Sequence, residues 1–107
     1  MVNIYIDDIR KAPKGFLLAK NYNDAIDLIE KNKDNLNIVS FDHDLGCFVG
    51  NKEYTGYDIA LYMCENSISP NTIRLHTANI VGKKNMYQLF EGAKRRGFIT
   101  YENIYID

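Results

Sequence analysis

At 107 residues, with 46% apolar and 25% charged residues, the chain is long enough for one domain around a single core. Its 13 Lys and Arg against 14 Asp and Glu leave a formal net charge of −1, so no global field favours nucleic acid or an anionic membrane. The opening MVNIYIDDIR has no signal-peptide pattern, no run approaches the ~18 apolar residues that span a bilayer, and the spacing of Cys47 and Cys64 fits no zinc pair, so a cytoplasmic, disulfide-free protein is expected.

In chain order, Val2–Ile6 is a short apolar strand ended by Asp7-Asp8. Lys11-Ala12-Pro13-Lys14-Gly15 signals a turn, and Phe16–Ala19 is a second strand. Tyr22, Ala25, Ile26 and Ile29 recur at helical spacing behind a cap at Asn21 or Asn23. Asn37–Phe41 is apolar enough to be a central strand, and residues 47–54 read as a loop turning at Gly50-Asn51. Thr55-Gly56-Tyr57-Asp58 fits a capping box that opens a helix to about Asn66. Pro70 precedes a strand at Thr72–Leu75. Asn79 caps a last helix carrying Met86, Leu89, Phe90 and Ala93, Gly97 ends it, and Phe98–Ile106 forms the final strand. Strands alternating with helices predict one α/β domain over 1–107, with a five-stranded, mainly parallel sheet and three main helices in three layers. The segment between the first two strands is short for a parallel crossover and has no helix.

Three strand ends carry the chemistry: Asp7-Asp8, Asp42-His43-Asp44 and His76-Thr77-Ala78-Asn79. Ligands of open α/β sheets bind beyond the carboxyl ends of strands. Asp7, Asp8 and Asp44 offer hard oxygens of the kind that hold Mg²⁺ or Mn²⁺, the expected cofactor. A lone aspartate would be read as a turn brace, but acids grouped at two strand ends are read as a site. His43 and His76, the only histidines, are expected to act together as general base and acid beside Asp42. The helix starts at Thr55-Gly56 and at Asn79–Gly82, with the Thr77 hydroxyl, are expected to bind phosphate. Gly82 either admits a ligand or relieves packing. Arg10 is expected to pair with phosphate or with Asp8. Lys83-Lys84 and Lys94-Arg95-Arg96 are read as solvated helix faces, Cys64 as packing and Cys47 as an incidental loop thiol rather than a nucleophile.

On Asp7-Asp8-Ile9-Arg10, Ser40–Gly46, Thr55–Asp58 and His76–Asn79 followed by Gly82 and Met86, nearly the whole chain resembles the cyclic-phosphate processing receiver domains. Thr77 stands where that family carries serine, which keeps the hydroxyl. The resemblance implies a receiver-like, flavodoxin-like fold and a role in processing cyclic phosphates of nucleotides or RNA ends. It places Asp7, Asp8 and Asp42 where receivers hold a metal and accept phosphate. The lysine usual after the fifth receiver strand has no match in Ile104-Tyr105-Ile106-Asp107, which argues against aspartyl-phosphate signalling through Asp42. The expected function is a phosphoesterase acting on a small cyclic-phosphate substrate, a nucleotide or an RNA end. The alternative is a non-catalytic receiver that binds a nucleotide, a phosphate ligand or a protein partner, whose identity the sequence leaves unknown.

Overall fold

Side chains alternate along a strand, so each strand here commits one face to a core. In the computed structural model, which describes residues 1–107, β1 (Val2–Ile6) buries Ile4 and Ile6. Beside it lie β2 (Phe16–Ala19) and β3 (Leu36–Phe41), then β6 (Thr72–Leu75) and β7 (Asn103–Ile106), giving the order β2-β1-β3-β6-β7 with every pair parallel. The register aligns Ile4 with Val39 and Ile73, and Ile6 with Phe41 and Leu75. These six side chains are fully buried and form the sheet side of the core.

Helices α1 (Tyr22–Lys31), α2 (Gly56–Glu65) and α3 (Ile80–Arg95) supply the other side. Ala25 and Ile29, then Ile59, Ala60 and Met63, then Met86, Phe90 and Ala93 join the strand residues in one cluster. α1 packs beside α2, and α2 beside α3, so all three cover the same face of the sheet. Chain direction explains this arrangement. The crossovers β2-to-β3, β3-to-β6 and β6-to-β7 all step the same way across the sheet, and right-handed connections then put their helices on one side.

Strand order and parallel pairing are those of a receiver, and the first crossover helix is missing, as expected. The three-layer expectation is corrected. The only crossover stepping the opposite way, β1 to β2, is residues 7–15, too short for a helix, so the second sheet face carries none. Tyr5, Phe16, Leu18 and Ile38 on that face lie partly exposed, outside the core.

Two further elements differ from the sequence reading. Residues 47–54 form an antiparallel hairpin, β4 (Cys47–Val49) and β5 (Lys52–Tyr54), turned by Gly50 at φ +63°. The last strand starts only at Asn103, because Ile99 and Tyr101 are buried in the core by an irregular segment instead of a ladder.

Candidate functional site

The sheet ladder runs one residue past each of three central strands. The Asp7 amide donates to Ala19 O, the Asp42 amide to Ile6 O and the His76 amide to Phe41 O. The polar strand ends are therefore brought side by side. Asp7, Asp8 and Asp42 each present an oxygen within 4.8 Å of the others. Asp8 Oδ1 is buried without a hydrogen-bond partner. A buried carboxylate oxygen left unpaired is costly, and a cation bridging the three acids would satisfy it, so this trio fits Mg²⁺ or Mn²⁺. Asp44 is corrected here: its carboxylate lies outside the trio, accepting from His43 Nδ1 at 2.9 Å and from Asn79 Nδ2 at 3.1 Å. Those two bonds, His43's first, hold its pKa below the usual value.

Asp7 is the best braced of the trio. Its Oδ1 accepts from the Ile9 and Arg10 amides, both at 2.9 Å, and its Oδ2 faces His76 Nε2 at 3.0 Å. Burial pushes its pKa up, but these bonds outweigh burial and leave it lowered. His76 Nδ1 meets Ser40 Oγ at 2.7 Å, and its ring stacks on Tyr5 with centroids 4.2 Å apart. Burial lowers the His76 pKa, with Asp7 opposing it. The neutral tautomer carrying hydrogen on Nε2 fits both partners: Nε2–H donates to Asp7 and Nδ1 accepts from the Ser40 hydroxyl. His76 is thus a brace for Asp7.

His43 lies elsewhere. Asp42 and His76 follow aligned residues and so share a side of the sheet, whereas His43 comes one residue later and turns to the helix side. It lines a cavity between α2 and α3, while His76 lines one on the open face with Tyr5, Phe16 and Ser40. The expected pairing of the two histidines as base and acid is therefore corrected. His43 instead forms a dyad with Asp44, and its Nε2 has no partner.

Two glycines fix that dyad. A Cβ on Gly56 would sit 1.9 Å from the Asp42 carbonyl oxygen, and one on Gly82 would sit 2.4 Å from His43 Cγ. The start of α2 presses on the backbone of 42–43 and the start of α3 on the His43 ring, so Gly82 relieves packing and leaves no gap for a ligand.

The helix amides assigned to phosphate are largely spoken for. Gly56 N donates to His43 O, and the Thr55 hydroxyl accepts from Tyr57 N within the capping box. Gly82 N donates to Asn79 Oδ1, and Asn79 N to Thr77 Oγ1. The Ile80 and Val81 amides remain free at the start of α3. Arg10 donates through Nη1 to His76 O and lies 3.9 Å from Asp7, at the rim. A cavity of about 340 Å³ collects Asp7, Arg10, Asp42, Asp44, Thr77 and Asn79.

The family model of the cyclic-phosphate processing receiver domain matches the chain over residues 2–92. The chain belongs to that family. No curated protein and no solved structure matches this receiver domain. Sequence reasoning missed Ser40 and Tyr5 as the supports of His76. Alternation in β1 and β3 was the available signal, since it puts both on the face that His76 adopts.

Proposed function

We propose that this receiver domain is a phosphoesterase that opens a cyclic phosphate of a nucleotide or an RNA end, with His43 as its single acid–base residue. The observation that carries this reading is the Asp44–His43 dyad beside the acid trio. A carboxylate on Nδ1 fixes the tautomer, leaving Nε2 to exchange a proton with water and substrate. Arg10, the Thr77 hydroxyl and the free Ile80 and Val81 amides are the donors for the phosphate oxygens. When bound at Asp7, Asp8 and Asp42, a divalent cation would neutralise charge on the phosphoryl group in the transition state.

Water forms the new P–O bond and gives one proton to His43 Nε2. The ring P–O bond breaks, and its electron pair takes that proton back from Nε2. The product is an acyclic monoester. His76 acts on this reaction only by holding Asp7.

The test is turnover of 2′,3′- and 3′,5′-cyclic nucleotides and cyclic-phosphate RNA ends with Mg²⁺ or Mn²⁺. Loss of acid–base catalysis in His43→Gln is expected to lower kcat by about 10²- to 10⁴-fold without changing the fold. Full turnover by that variant would sink the assignment. The second reading is a binding receiver without turnover, favoured by the internal use of most helix-start amides. Tight cyclic-nucleotide binding with no product under either cation would select it.

A further inference from the structure

The groove between α2 and α3 is not explained by acid–base chemistry. It is an open groove of about 500 Å³, lined by His43, Thr55, Tyr57, Asn85, Gln88 and Leu89. That volume lies within the range of small-molecule sites. Tyr57 and Leu89 are partly buried against the core and supply apolar walls. Asn85 and Gln88 stand one helical turn apart on α3, and neither side-chain amide makes a hydrogen bond within the protein. The Tyr57 hydroxyl is free as well. Asn85 and Gln88 are both exposed, so their amides are open to a ligand.

We infer that this groove is a nucleobase subsite, and that the substrate class is nucleoside cyclic phosphates rather than cyclic phosphates of base-free polyols. Apolar walls suit the flat faces of a base. Two carboxamides, each offering a donor and an acceptor, suit its hydrogen-bonding edge. Position supports the assignment. His43 lines this groove, while its partners Asp44 and Asn79 line the neighbouring cavity with Asp7 and Asp42. A ligand with its base in the groove and its phosphate by the acids would place the connecting ribose oxygen at His43. The inference rests on the phosphoesterase reading for where the phosphate lies, but the groove contacts stand on their own geometry.

Binding is measured by titration calorimetry, independently of turnover. The probes are the 2′,3′-cyclic monophosphates of adenosine, guanosine, cytidine and uridine, with glycerol 1,2-cyclic phosphate as the base-free probe. At least one nucleotide is expected to bind tenfold or more tightly than the base-free probe. The Asn85→Ala/Gln88→Ala double variant, whose changes are exposed and helix-favouring, is expected to erase most of that preference. Nucleotide preference lost in the double variant without any turnover would remove the phosphoesterase reading and keep the subsite. Equal binding of all five probes, an unchanged preference in the double variant, or no nucleotide binding would overturn the subsite, even if cyclic phosphates were hydrolysed.

Discussion

At the scale of single residues, the acid cluster is held together against its own charge. Three carboxylates sharing a few ångströms repel, and Asp8 Oδ1 has nothing to accept from. Adding Mg²⁺ is therefore expected to raise Tm, since a ligand at about 100-fold its Kd stabilises by about 2.7 kcal/mol. Asp8→Asn should abolish that response and unfold at a higher temperature than the metal-free parent. A Tm unmoved by Mg²⁺ and Mn²⁺ in the parent would remove the cation site. Glu91 makes a separate case, far from the acids. It accepts from Tyr101 at 2.7 Å and Tyr87 at 3.0 Å, and these bonds hold its carboxyl below the ordinary 4.5. A lowered pKa means the folded state binds the proton less readily than the unfolded chain. Its contribution is thus fully present above about pH 4.5 and lost as pH falls through the folded value. Urea denaturation at pH 7 and pH 3 should show a smaller acid loss in Glu91→Gln than in the parent. Equal losses would show that Glu91 does not contribute to the acid limb.

At the scale of elements, the site depends on where two helices begin. α2 starts against the Asp42 carbonyl and α3 against the His43 ring, and only glycine allows either approach. Gly56→Ala drives a methyl into a backbone carbonyl that the sheet holds in place. It should cost about 3 kcal/mol, the upper end of ordinary overpacking. Gly82→Ala meets a side chain that can swing, so it should cost less stability but displace His43 from Asp44. Denaturation midpoints of the two variants check this order; equal or reversed costs would mean the 42–43 peptide is not pinned. The hairpin β4–β5 eluded the sequence reading for a related reason. Its strands alternate poorly, and Phe48 and Val49 stay exposed, so no hydrophobic pattern marked it.

At the scale of the whole molecule, one core of 21 buried apolar residues joins strands and helices from every part of the chain. Such a core predicts cooperative unfolding. Far-ultraviolet circular dichroism and fluorescence of the 8 tyrosines, in a chain with no tryptophan, should give coincident urea transitions. Separate transitions would show that the open-face residues or the hairpin melt independently. No helix of the protein is long and apolar enough to cross a membrane. The open sheet face follows from connectivity: with the first crossover reduced to residues 7–15, no helix lies over Tyr5, Leu18 and Ile38.

The sequence by itself determined the five strands of the main sheet, the three helices, the caps at Thr55 and Asn79, and the gathering of Asp7, Asp42 and His76 at one edge of a parallel sheet, and it narrowed the first cap to Asn21 or Asn23. Those features depend on local periodicity, on capping chemistry and on the rule that polar residues end buried strands, all of which act within a few residues. Only the tertiary structure decided which side of the sheet each polar group takes. A shift of one residue reverses that side. His76 and His43 differ by such a step relative to their strands, so one braces Asp7 from the open face and the other joins Asp44 under the helices. The same long-range packing exchanged Asp44 for Asp42 in the acid trio and consumed the amides of Gly56 and Gly82. Those partners come from segments far apart in the chain, and no local pattern carries their geometry.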